Sequence, residues 1–398
     1  MTGKLKLGFV VQRYGVEIAG GAEYHCRLIA ELLRDHAEVD VFTTCALDYV
    51  EWQNHYPEGE IALNGVRVVR FRVGRQRDIL RFAKLSARIE PSGHSREDEE
   101  AWMDEQGPYS PALRDHVLQA EGEGRYDALI FFSYRYWTTC RSLRSSRTPS
   151  ILAPTAEDDG LYRLGLFRPV FEAATQFAFN SVEERSMLEA ALGHTLPGDI
   201  VGVGSALPSA MDGAAFRERH DILGPFLLYV GRIDLNKGCP ELFDHFLRYR
   251  RDTGSSLKLV LIGRALLELP KDDSILGLGF LEDAEKWNAL AACMALAIPS
   301  RLESLSMVTL EAFWAERPVV ANANCAVLRG QCRRSGGGLY YTNYEEFRGI
   351  LEILEGDAPL RVRMGQAGHA YFEQNYAWPV ILEKYLRLIA AARRIKAA

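Results

Sequence analysis

The sequence predicts an α/β protein with two domains, each a parallel sheet assembled from βαβ units. Three observations carry that expectation. At 398 residues the chain is long for one hydrophobic core. Short apolar runs alternate with helical-period segments from end to end, the pattern of βαβ units. A stretch rich in Gly, Ser, Pro and Ala, "GVGSALPSAMDGAAF" at 202–216, divides those runs into two series and reads as the interdomain linker.

Taken in order, the first series places strands at Leu5–Val11, Glu38–Thr43, Val66–Phe71, Ala128–Phe132, Ser150–Ala153 and Phe177–Asn180. Helical periods fill the gaps, for example Ala22–Leu33 and Val182–Leu192. The second series gives strands at Phe226–Val230, Lys258–Ile262, Ala295–Pro299 and Pro318–Ala321, with a helix over Pro240–Arg250. The closing segment "YFEQNYAWPVILEKYLRLIAAARR" reads as helical after Trp378 and Pro379.

Composition narrows the class of function. Hydrophobic residues make up 47% and charged residues 25%, the balance of an ordinary globular protein. A net charge of −6 argues against a nucleic-acid surface. The seven cysteines contain no C-x-x-C pair, which suits reduced, mostly buried thiols in a cytosolic protein. The apolar run Leu7–Val11 is too short for a signal peptide, and no run approaches a membrane span, so the chain is expected to be cytoplasmic. Repeats are absent. The run from Gly202 nearly makes a G-x-G-x-x-G, but its sixth position is Leu207, and "QRYGVEIAGGAEYH" after the first strand lacks that spacing too. An NAD-dependent enzyme is therefore disfavoured.

One segment breaks the α/β rhythm. Arg77, Arg81, Lys84 and Arg88 recur at spacings of four, three and four, which stacks them on one helix face. Two readings stay open: a surface for an acidic acceptor or the inner membrane leaflet, giving a weak peripheral contact, and a solvated amphipathic helix neutralised by the acidic "REDEEAWMDEQ" that follows.

The chemistry concentrates in two motifs. In "LLYVGRIDLNKGCPELFDHF", 227–246, a buried strand ends at Val230 and a loop then presents Arg232 and Lys237 just before a helix. Two cations at the C-terminal edge of a parallel strand, beside a helix N-terminus, suit a diphosphate. The alternative is that both pair with Asp234 or Glu241. In "PSRLESLSMVTLEAFWAERPVVA", 299–321, Glu303 lies in the exit loop of a strand, Ser306 is expected to N-cap a helix running from Met307 to about Glu316, and Glu311 projects from its second turn. Carboxylates beside a phosphate site suit sugar hydroxyls, so the pair points to a sugar nucleotide. A bare E-x7-E also arises from an unrelated surface glutamate and helix-face glutamate.

These motifs, with the "GGAE" loop at 20–23, resemble glycosyltransferase family 4, the retaining enzymes of the GT-B fold, over nearly the whole chain. The resemblance implies two Rossmann-like domains facing a cleft: 1–204 as the acceptor-side domain, 205–375 as the nucleotide-sugar domain, and 376–398 as a helix packing back on the first. It implies that Arg232 and Lys237 bind the donor diphosphate and stabilise the leaving group, that Glu303 faces the donor sugar, and that Glu311 accepts from the ribose. Amides across Ser304, Leu305, Ser306, Met307 and Val308 would complete the phosphate cradle, and the Gly20–Gly21 loop would approach the reacting centre.

No metal or cofactor is implied beyond the sugar nucleotide as co-substrate. The implied activity is hexosyl transfer with retention, metal-independent, to a saccharide, lipid-linked glycan or natural product. Two departures from the family pattern bear on this. Glu303-Ser304-Leu305-Ser306 replaces a Glu-Gly-Phe-Gly run, and Glu157 in "LAPTAEDDGLYR" stands where related sequences often carry a histidine that touches donor or acceptor. The competing reading is a non-catalytic GT-B module that binds a sugar nucleotide or a partner enzyme.

Overall fold

The computed structural model describes residues 4–18, 20–90 and 93–397. The chain divides into two compact units, Met1–Val203 with Trp378–Ala398, and Gly204–Ala377. Each is an open, doubly wound sheet.

In the first unit, β1 (Leu5–Val10), β2 (Ala37–Thr44), β3 (Gly59–Leu63), β4 (Val66–Phe71), β5 (Ala128–Phe132), β6 (Ser150–Ala153), β7 (Gln176–Phe179) and β8 (Gly198–Ile200) lie in the order β3-β4-β2-β1-β5-β6-β7-β8. The centre is apolar on both faces because helices cover both: Phe9 registers with Val41 on β2 and Ile130 on β5. Among the described strands only β3 is antiparallel, turning into β4 through Asn64 and Gly65, whose positive φ angles of 49° and 79° suit a two-residue hairpin.

The helix Trp378–Ala397 belongs to this unit, with Ile381, Tyr385, Leu388, Ile389 and Ala392 buried. Tyr385 Oη lies 3.3 Å from His25 Nε2, and burial drives the His25 pKa down to about 3, so the ring is neutral. Ala377, with an extended backbone at ψ 143°, separates this helix from Ala358–Tyr376.

The second sheet runs β11-β10-β9-β12-β13-β14, all parallel, from β9 (Phe226–Val230), β10 (Lys258–Ile262), β11 (Ile275–Gly277), β12 (Ala295–Ile298), β13 (Val319–Asn322) and β14 (Gly338–Tyr341). The central strand β9, "FLLYV", pairs Leu228 with Val260 on one side and Leu296 on the other. Leucines and aromatics from β9, β10 and the helix Cys239–Thr253 fill the core. Every strand here points the same way, so the exit loops of β9, β10, β11 and β12 gather along one edge, where ligands of such sheets bind.

All seven cysteines are free and buried. Among the described residues no helix is long and apolar enough to cross a membrane, and no group of three potential metal ligands occurs.

The basic face between Arg77 and Arg88 requires a correction. The helix begins only at Ile79, and Arg77, ahead of it, points inward. Its guanidinium donates to the carbonyls of Tyr49, Val50, Glu105 and Gln106, and burial draws its pKa down to about 10. Arg81 pairs with Glu105 at 3.4 Å and Arg88 with Asp98 at 2.8 Å, both from the acidic helix Arg96–Gln106. Lys84 is exposed.

Candidate functional site

The exit loop of β9 is built around Asp234. Its carboxylate accepts the backbone N–H of Lys237 at 2.8 Å and pairs with Arg232 at 3.3 Å, fixing the turn that presents both cations. The buried Tyr229 hydroxyl donates to the Arg232 carbonyl at 2.5 Å. Gly238 then starts the helix Cys239–Thr253 at φ +73°, and a Cβ there would drive into the carbonyl oxygen of Pro299. That contact lets the β9 loop lie against the β12 loop. As a result Lys237 Nζ reaches Glu303 Oε1 at 2.7 Å, although 66 positions separate them.

Of the two surface pairings weighed from sequence, Arg232 with Asp234 forms. Glu241 instead takes Arg301 at 2.6 Å and Asn322 at 3.0 Å.

The loop holding Glu303 is pinned from below, where buried Gln331 donates to the Leu305 carbonyl at 2.6 Å. The helix that follows is Met307–Trp314, two residues shorter than expected. Ser306 occupies its N-cap position but does not cap it. The residue is left-handed at φ +65°, and its hydroxyl lies 2.9 Å from Thr309 Oγ1 rather than accepting a backbone N–H. The Ser306 side chain makes no capping bond to this N-terminus, where amide dipoles favour an anion.

Glycine takes φ +65° freely, and serine pays roughly 1–2 kcal/mol for it. Ser306→Gly is therefore expected to stay within about 1 kcal/mol of wild type, relief of strain offsetting the lost hydroxyl contact, while Ser306→Val loses ~2 kcal/mol or more. Chemical denaturation of the two variants checks this.

Glu311 is buried, and Lys286 of the helix Asp283–Ala292 meets it with Nζ 2.9 Å from Oε1. Burial pushes the Glu311 carboxyl up, opposed by Lys286; burial works against the ammonium as well, but Glu311 and Asp283 hold its pKa above the ordinary value. Sequence reasoning missed Lys286, Gln331 and the organising role of Asp234.

Backbone pairing continues past the strand ends. Gly231 N–H donates to Ile262 O at 2.9 Å, Ile233 N–H to Arg264 O at 3.0 Å, and Gly263 N–H to Gly279 O at 2.7 Å. The three loops border an open hollow of about 400 Å³ lined by Ile233, Gly263, Arg264, Leu269, Gly279 and Phe280, the last 77% exposed.

In the first unit, Gly20 stands at the N-cap of the helix Gly21–Leu33. Glu23 in the first turn of that helix forms a buried pair with Arg13 at 2.6 Å. Glu157 is half-buried in the exit loop of β6, where Asp159 takes Arg135 at 2.5 Å and Asp158 accepts from the Tyr162 hydroxyl at 3.0 Å. Nearby Glu184 accepts the N–H groups of Asn180 and Ala156, each at 2.6 Å; burial, reinforced by the Glu157 charge, pushes its pKa up to about 8.

Two parallel-sheet units with a helix-rich C-terminus define a GT-B protein, and comparison with known proteins agrees. Residues 215–371, most of the second unit, match the family described as "Glycosyl transferases group 1". Sucrose-phosphate synthase from Thermosynechococcus elongatus superimposes with a TM-score of 0.70 at 15% identity, over 97% of this chain and 100% of that one. HepE from Anabaena, solved in complex with UDP and glucose, gives 0.68 at 18% identity, over 97% and 99%. At such identities the shared property is the fold. A trehalose synthase of Rubrobacter xylanophilus is 26% identical over 187 residues, 43% of this chain and 44% of its own length, so the matched stretch spans less than half of that relative.

Proposed function

We propose that the protein is a retaining glycosyltransferase that moves a sugar from a nucleoside diphosphate sugar to an acceptor hydroxyl on a saccharide, a lipid-linked glycan or a natural product. The observation that carries this reading is the meeting of Lys237 and Glu303 at 2.7 Å beside the N-terminus of the helix Met307–Trp314. The match to group 1 glycosyltransferases supports it, as do HepE complexes described with UDP and with UDP-glucose.

In this reading Lys237 and Arg232 bind the diphosphate and stabilise the charge that develops as it leaves. Lys237 carries three N–H donors, so it can keep Glu303 and still serve phosphate oxygens. Amides at Met307 and Val308 add fixed dipoles that need no reorganisation during the reaction. Glu303 accepts from hydroxyls of the transferred sugar and Glu311 from the ribose, while Phe280 and the cavity behind it take the base. The acceptor hydroxyl attacks the face from which the diphosphate departs, so the anomeric configuration is kept. Fixed cations supply the electrostatic stabilisation, and the proposal includes no metal ion and no cofactor. Glu157 stays a candidate on the acceptor side.

The test is to incubate the protein with nucleotide sugars and hydroxyl acceptors, follow nucleoside diphosphate release, and read the product's anomeric coupling by NMR. Retained configuration is expected. Inversion contradicts the stereochemical assignment, and nucleotide binding without transfer to any acceptor contradicts the enzyme assignment.

A further inference from the structure

We propose that Lys286 is a positioning residue that fixes the Glu311 carboxylate for ribose recognition; the proposal rests on the donor-site reading given above. A carboxylate buried alone takes up a proton or finds a cation, because burial penalises the charged form. At Glu311 the cation is Lys286, 2.9 Å away and supplied by a different helix.

The lysine is itself held. Asp283, one turn earlier, lies 3.2 Å from Nζ, and the ammonium sits 5.3 Å from the Trp287 ring centroid. Trp287 packs edge-on against Trp314, from the helix that bears Glu311, with centroids 5.2 Å apart, so the two helices are clamped beside the ion pair.

Lys286 occupies only Oε1. That contact leaves the lone pairs of Oε2 for neighbouring hydroxyls. Placement adds a second argument. The cavity wall Gly277–Phe280 runs almost directly into the helix Asp283–Ala292, so one short segment lines the base cavity and carries the lysine that orients Glu311. A base and its ribose are read by neighbouring parts of one element.

Isothermal titration of full-length wild type, Lys286→Met and Lys286→Arg separates orientation from mere folding. The probes are inorganic pyrophosphate, the tightest binder among UDP, GDP, ADP and CDP, and the 2′,3′-dideoxy form of that nucleotide. Lys286→Met is expected to weaken the hydroxyl-bearing nucleotide by roughly 10- to 100-fold, the scale of a lost charge-assisted hydrogen bond, and to leave pyrophosphate unchanged. The dideoxy nucleotide binds wild type more weakly and loses nothing further in the variant. Lys286→Arg, which keeps the charge, restores most of the affinity.

Equal loss for the ribo and dideoxy probes, or no loss for either, overturns the proposal while the donor site stands. Failure of wild type to bind any of the four nucleotides overturns both. If Lys286→Met does not fold, Lys286→Gln takes its place with the same outcomes.

Discussion

Lys237→Ala is expected to lower turnover by roughly a hundredfold or more while the protein stays folded. The side chain is the compact cation at the mouth of the helix Met307–Trp314, and removing one preorganised group that stabilises developing charge typically costs that much. The change also strips Glu303 of the partner it meets at 2.7 Å, so under the proposed roles both the diphosphate charge and the hold on the transferred sugar are expected to suffer. Lys237→Arg is expected to recover only part of the rate, because a planar fork does not reproduce a point charge at this distance. Steady-state kinetics beside a thermal melt checks both variants. Near-normal turnover in Lys237→Ala contradicts its assigned role.

Gly263→Ala is expected to give the largest structural effect. Gly263 sits at φ +139°, and an added methyl would run into the carbonyl of Gly231, which is backbone and has no rotamer to yield. The strained backbone alone costs about 1–3 kcal/mol, and the collision adds to it by forcing β9 and β10 apart at their exits. The second unit is expected to unfold ~5–10 °C lower, and nucleotide affinity to fall with it because the cavity between these loops is deformed. Calorimetry and a nucleotide titration of the variant decide this. An unchanged melting profile contradicts the account of how these loops are held.

Some of the fold was plain in the chain. The strands β4, β5, β6, β9 and β10 were read at their observed ends: β5 and β9 are wholly apolar runs, and β4 keeps Val66, Val68 and Val69 buried around its two arginines. Four strands were not read. β8, β11 and β14 hold three or four residues each, and β8 and β14 contain Gly198 and Gly338, so sheet pairing with Phe177 and Val319 creates them rather than local propensity. β3 hides behind its charged Glu60, although Asn64–Gly65 is a hairpin signal.

The site divides in the same way. Arg232, Lys237 and Glu303 are each visible because a strand, a turn and a helix start surround them in sequence, and the structure places all three on one sheet edge. Lys286 carried no signal: on its own helix it reads as an ordinary surface lysine, and its partner lies 25 residues away. The spacing from Arg77 to Arg88 misled for the opposite reason. Periodicity reports a shared face only once a helix has begun, and Arg77 precedes the N-cap Asp78.

We propose the edge of the second sheet as a nucleoside diphosphate site built on Lys237. A thermal-shift panel of UDP, GDP, ADP, TDP and CDP against wild type and Lys237→Ala tests it most directly, because a ligand that binds only the folded state raises the melting temperature. One nucleotide is expected to stabilise wild type and lose that effect in the variant. No shift with any of the five, or an equal shift in both proteins, contradicts it.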